Sequence, residues 1–202
     1  MENMLNKHGQ QNKVRSTADR EKGFTLIEVV IAVFILTIGL IGTAAAITFA
    51  LEFSALSRNV TNGKLIIVST IEEIEGLRNA RRLDFQQIEN TGNVNNTGSE
   101  NNFNGFSNGF KPVSLNPGPD GVDGTDDDLI TAGPDGVYGT GDDAVDNTNV
   151  RPGYSRKITI TNLPGSAVIK KVEVRVQYPA AGGKFGEIAG VGYLNDEFRI
   201  TR

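Results

Sequence analysis

Apolar residues follow three different rules along this chain. Residues 29–51 are 23 consecutive positions without a formal charge. As a helix rising about 1.5 Å per residue they reach roughly 35 Å, enough to cross a hydrocarbon core of about 30 Å. Beyond Glu52 the rule becomes a stripe: Val60, Ile67, Ile71, Ile74 and Leu77 recur at three- and four-residue intervals, with Arg58, Lys64, Glu72, Glu73, Glu75 and Arg78 mostly off it. This predicts an amphipathic continuation of the helix laid on a core, reaching Arg82 or Ile88, with Gly63 and Gly76 as soft points. In the last third the period is two. Ile158 and Ile160 oppose Lys157, Thr159 and Thr161, and Val172, Val174, Val176 and Tyr178 alternate with Glu173, Arg175 and Gln177. Asn162-Leu163-Pro164-Gly165 marks the turn between those two strands. Residues 185–194 and 197–201 supply one or two more strands, weakened by Gly186, Gly190 and Gly192. A long helix followed by an antiparallel sheet that must bury its apolar face on that helix is an α+β arrangement. Arg156, Lys157, Lys170, Lys171 and Arg175 are expected on the outer face, either meeting acid on a neighbouring subunit or forming an ordinary solvated surface.

Between stripe and sheet the patterning stops. Residues 90–110 hold eight Asn and four Gly, favouring neither helix nor strand. Phe103, Phe106 and Phe110 interrupt this tract and are expected to pin it to the domain. A repeat follows: Gly118-Pro119-Asp120-Gly121-Val122-Asp123-Gly124-Thr125-Asp126-Asp127-Asp128 returns as Gly133-Pro134-Asp135-Gly136-Val137-Tyr138-Gly139-Thr140-Gly141-Asp142-Asp143. Pro-Asp-Gly is a turn signal: proline sets φ, aspartate caps its own turn and glycine takes φ > 0. Nine Asp and no Lys, Arg or His lie between Pro112 and Val150, so the turns call for a cation. Calcium suits carboxylate and carbonyl oxygens in flexible geometry. Its candidate ligands are Asp120, Asp123, Asp127, Asp128, Asp135, Asp142 and Asp143. The spacing is not that of an EF-hand loop, and a solvated acidic loop is the alternative.

One carboxylate stands at the head of the apolar run. Glu28 follows Gly23-Phe24-Thr25-Leu26-Ile27, and the 23 residues up to Gly23 carry five Lys or Arg against three Asp or Glu, a bias toward a cytoplasmic N-terminus. An acid at the centre of a membrane span costs roughly 2.5–3.5 kcal/mol, less near an interface, and normally has a partner. The apolar run is too long for a secretory signal of about 7–15 apolar residues. This hexamer and its run resemble the class III signal of type IV prepilins and type II secretion pseudopilins. The resemblance implies a pilin fold and cleavage between Gly23 and Phe24 by a prepilin peptidase, which also N-methylates Phe24. Glu28 would then pair with the terminal amine of an adjacent subunit during assembly. Residues 71–78 resemble the matching helix of minor pilins of the pilus-modification type. The implied location is the inner membrane before assembly, with the head outside the cytoplasm, then a pilus or periplasmic pseudopilus.

Composition narrows the rest. There is no Cys or Trp, and the one His, His8, precedes Gly23, so the processed chain would lack a histidine base, a thiol nucleophile and soft zinc ligands. An enzyme is not expected. The processed chain is acidic, a poor general nucleic-acid binder. The expected organisation is a cleaved leader at 1–23, a membrane and assembly helix at 24–52, its amphipathic continuation at 53–89, an insertion at 90–150 and the sheet at 151–202. The expected function is a structural subunit, a minor pilin, of a type IV pilus or related filament. The alternatives are a type II secretion pseudopilin and, from another class, a membrane-anchored calcium-dependent adhesin that never polymerises.

Overall fold

The computed structural model describes residues 23–97 and 103–196. The residues before Gly23 and the strand expected at 197–201 lie outside the described residues. The chain divides into two units, Met1–Ile47 and Thr48–Arg202, and helix α1 (Leu26–Asn79) contributes to both. In the first unit α1 is apolar and exposed on every side, and it is long and apolar enough to cross a membrane.

In the second unit the rest of α1 packs on a four-stranded antiparallel sheet in the order β1-β4-β5-β6. The strands are β1 (Lys111–Ser114), β4 (Val150–Asn162), β5 (Ile169–Pro179) and β6 (Phe185–Asn195). A separate two-stranded ribbon joins β2 (Ile130–Thr131) to β3 (Ala144–Val145). Ile66, Ile67, Thr70, Ile74 and Leu77 of α1 are buried against Ile158, Ile160, Val172, Val174, Val176 and Leu194. The architecture is the α+β, pilin-like one: a long N-terminal apolar helix on a C-terminal antiparallel sheet.

The glycines that weakened the expectation for β6 are what lets α1 lie on it. A Cβ at Gly192 would come within 2.8 Å of Ile71, and one at Gly190 would press still closer on Ile67. From the helix side a Cβ at Gly63 would stand 2.9 Å from Ile188. Gly63 is therefore a close-approach point, not a soft one. Filling such a seam with methyl groups typically costs about 1–3 kcal/mol.

α1 ends at Asn79, short of Arg82 or Ile88. Arg82 N–H donates to the Leu77 carbonyl at 2.9 Å and Arg81 N–H to that of Arg78 at 3.0 Å, with Arg81 at φ 56°. This is a Schellman stop. No glycine marks it, so the sequence carried no visible stop signal.

The Asn-rich tract is stitched to the edge of β4 beyond β1. Ile158 N–H donates to the Ser107 carbonyl at 3.0 Å. The buried Asn90 side chain accepts from Ile160 N–H and donates to the Ile158 and Phe106 carbonyls. Edge groups that would face water are thereby paired. Phe103 and Phe106 are buried edge-to-face, ring centres 5.1 Å apart. Phe110 is 38% exposed and outside the core, so two of the three aromatics pin the tract.

Candidate functional site

Two places in the chain gather chemistry: the start of α1 and the seat of the first acidic repeat. Gly23 and Phe24 precede α1 in non-helical backbone, and both are exposed. Thr25 is the residue before the helix and Glu28 the third within it. Their side chains exchange hydrogen bonds: Thr25 N–H donates to Glu28 Oε2 at 3.4 Å and Glu28 N–H to Thr25 Oγ1 at 3.4 Å. This is a capping box, at the long end of hydrogen-bond distance. Thr-x-x-Glu before an apolar run is its sequence signature, so this local role of Glu28 is legible in the residues alone. The peptide bond after Gly23 is thus presented next to a capped helix start, and among the described residues beyond its chain neighbours none comes within 4 Å of where a Gly23 Cβ would stand.

The two acidic repeats fold alike. In each, the first aspartate accepts from the backbone two residues on, Asp120 from Val122 and Asp135 from Val137, both at 2.8 Å. Asp127 and Asp142 are hydrogen-bonded by Thr125 and Thr140. Asp128 and Asp143 accept from the N–H of Gly124 and Gly139. Gly121 and Gly136 have φ 67° and 69°, the left-handed conformation that Pro-Asp-Gly foretold.

Their surroundings differ. Repeat 1 sits on the core, with Val122 buried. Its cation is Arg156, buried on β4, whose Nη1 and Nη2 donate to both oxygens of Asp123 at 2.6 and 2.7 Å. The same guanidinium reaches Asp128 at 3.5 Å and Thr70 of α1 at 2.9 Å. Lys111 of β1 stands 3.5 Å from Asp126. One side chain therefore ties sheet, helix and insertion together. Repeat 2 is exposed, and among the described residues Asp135, Asp142 and Asp143 form no ion pair. Among the described residues no three His, Cys, Asp or Glu side chains are gathered as a metal ion requires. Among the described residues Asp120 Oδ2 and Asp143 Oδ1 are buried and find no hydrogen-bond partner.

The expectation for the basic residues needs correction. Arg156 and Lys170 point inward and are buried. Lys170 Nζ donates to the Phe85 and Ile88 carbonyls at 2.8 and 2.9 Å and pairs with Glu89. Parity shows why: Arg156 shares its face with Ile158 and Ile160, and Lys170 with Val172 and Val174. Lys157, Lys171 and Arg175 do lie on the outer face, the last two bound to Glu173.

Residues 19–44 match the family model described as the prokaryotic N-terminal methylation motif. No curated protein and no solved structure matches the chain. The chain thus carries the class III signal of type IV prepilins and pseudopilins, on a pilin-like architecture. That motif supports a pilin-like or pseudopilin subunit, and together with the apolar helix it supports membrane anchoring and implies processing by a prepilin peptidase.

Crowding acid around one guanidinium has an electrostatic consequence. Burial pushes the Asp128 carboxyl up to about 7, opposed by hydrogen bonds from Gly124 and Thr125 and reinforced by Asp123. Burial likewise pushes Asp120 up to about 6, and burial with Asp123 beside it raises Glu73. Raised folded values mean that, between about pH 4 and pH 7, the folded protein keeps protons the unfolded chain has released. Stability therefore falls as pH rises through that window. Asp142, Asp146 and Glu173, held low by their hydrogen bonds, act in the opposite sense only below the usual carboxylate range. The full chain should melt at a higher temperature near about pH 5 than near about pH 8, and Asp128→Asn should shrink the difference. A melting temperature that climbs steadily over that interval would contradict this account of the clasp.

Proposed function

We propose that the chain is a subunit of a type IV pilus or related filament, cut between Gly23 and Phe24, methylated on Phe24 and assembled through the apolar half of α1. The observation that carries this is the exposure of every residue from 23 to 54, helical from Leu26 and of membrane-spanning length, in a stretch that begins within the matched residues 19–44. Seventeen large apolar side chains from Phe24 to Phe53 are exposed. At about 1.5–3 kcal/mol for each one fully buried, their demand for cover is tens of kcal/mol. Lipid meets it before assembly, and the packed helices of neighbouring subunits meet it afterwards. Cleavage places a positive amine on Phe24, at the positive end of the helix dipole, where a carboxylate is favoured. Glu28 supplies that charge, first within its own capping box and then to the amine of a neighbour. A type II secretion pseudopilus uses the same device and is the alternative assembly.

The minor-subunit role implied by residues 71–78 is the finer part of this proposal, and the same segment also serves the packing of the head. Ile74 and Leu77 are buried in the core, Glu73 accepts from Asp123 N–H, and Arg78 donates to the Asn195 carbonyl at 2.7 Å. Calcium at the acidic turns is a separate proposal, supported by the unpaired Asp120 Oδ2 and Asp143 Oδ1. For it, the full chain in detergent should melt higher with calcium than with chelator; superimposable curves would remove the metal.

The direct test of processing is mass spectrometry of the protein isolated from its native host. A chain beginning with methylated Phe24 is expected. A chain still beginning at Met1 would overturn the assembly proposal.

A further inference from the structure

Strand β6 runs beside α1 in the same direction. Its residues Ile188, Gly190 and Gly192 face Gly63, Ile67 and Ile71 in turn, and the Asn195 carbonyl receives Arg78 at the far end. The start of β6 therefore lies toward Phe49, Leu51 and Phe53, the exposed apolar residues with which this unit's part of α1 begins. At that end Asn59 Nδ2 donates to the Pro179 carbonyl at 2.8 Å, Tyr154 Oη donates to Asn59, and Pro179 pairs with Phe185. The turn between β5 and β6 continues past this pair and is closed by Ala180 N–H on the Lys184 carbonyl at 2.8 Å.

Phe185 is 65% exposed, and Lys184 beside it and Arg58 on α1 are exposed as well. Among the described residues neither of these two bases forms an ion pair. Of the acids closest to them in sequence, Glu52 closes the apolar run and Glu187 is held by Arg175 at 3.1 Å. Asn59 lies eight residues beyond Leu51, about 12 Å along the helix. A headgroup layer adds roughly 5–8 Å to each side of the hydrocarbon core, which leaves a gap of about 4–7 Å. The turn that runs from the level of Asn59 back toward Leu51, with the reach of a lysine or phenylalanine side chain, covers that gap.

We propose that this end of the head rests on the lipid surface while the chain is anchored, with Phe185 at the boundary between headgroups and acyl chains and Lys184 and Arg58 on lipid phosphates. The inference rests on the anchoring reading above and adds a second contact to it. An exposed aromatic beside basic side chains settles at such an interface, the apolar part in lipid and the charge in water. Basic residues next to a span are also drawn to anionic lipid. The contact is lost when α1 leaves lipid for a filament, so it holds the head of the waiting subunit and not that of the assembled one.

The chain has no Trp, so a single tryptophan reports without background. The full chain carrying Phe185→Trp is reconstituted in phosphatidylcholine vesicles with and without phosphatidylglycerol, beside Val191→Trp farther along β6 and Leu36→Trp within the span. Lipid spin-labelled at the headgroup should quench Phe185→Trp and leave Val191→Trp bright, and Phe185→Trp should emit at the shorter wavelength of the two. Label at mid-chain should quench Leu36→Trp. Phosphatidylglycerol should deepen the quenching of Phe185→Trp, and adding Lys184→Glu and Arg58→Glu should abolish that gain. Lys184→Cys carrying a solvent-sensitive fluorophore gives a second reporter should Phe185→Trp not accumulate. Phe185→Trp as bright as Val191→Trp, with Leu36→Trp quenched, would overturn the lipid contact and leave the anchoring standing. Leu36→Trp unquenched would overturn both, and quenching indifferent to phosphatidylglycerol would overturn the part given to the two bases.

Discussion

The structure depends first on the cost of leaving an apolar helix in water. From Phe24 to Phe53, before and along α1, seventeen large apolar side chains stand exposed among the described residues. The tens of kcal/mol at stake exceed the net stability of a whole domain, about 5–15 kcal/mol. No arrangement of the head could absorb such a deficit, so this stretch requires lipid or other helices. Glu28 is small on that scale, a few kcal/mol at most. In the proposed filament its part is to set how helices meet, in register and with a cleaved neighbour, and not whether they leave water.

The head is held by a second constraint, the close approach of α1 to β6. Gly190 and Gly192 on the strand and Gly63 on the helix remove the side chains that would keep the two apart. On the same inner face β4 brings Arg156 beneath the insertion, where it binds Asp123, Asp128 and Thr70 at once. A buried ion pair of this kind is a poor source of net stability but is costly to break, about 3–5 kcal/mol when one partner is removed. Its effect is to fix where repeat 1 sits. Repeat 2, with Tyr138 in place of Asp123 and Gly141 in place of Asp126, has the same turns and lacks that lock.

Much of this was legible before any coordinates. The 23-residue uncharged run, the hexamer at Gly23, the helical stripe through Ile67, Ile74 and Leu77 and the alternation in β4 and β5 each follow from one simple period. What escaped depended on relations between elements. Arg156 and Lys170 read as surface residues by charge, although their parity with Ile158 and Val172 placed them inward. Gly190 and Gly192 read as strand breakers because the helix that needs them lies more than a hundred residues away. The Asn-rich tract has no period at all, since Asn90 and Ser107 serve an edge of β4 that only the sheet order defines. The acidic window suggested calcium; that a distant arginine pairs with repeat 1 became visible only in the fold.

The central claim is that proteolysis creates the charge that lets this acid-bearing helix join others of its kind. Measuring filament yield from Glu28→Ala in the native host tests it most directly. The account predicts a protein still cut after Gly23 but held in the membrane fraction, with filaments reduced about tenfold or more, because the buried amine has lost its partner. Filaments at the unmutated level, built from correctly processed Glu28→Ala subunits, would contradict it.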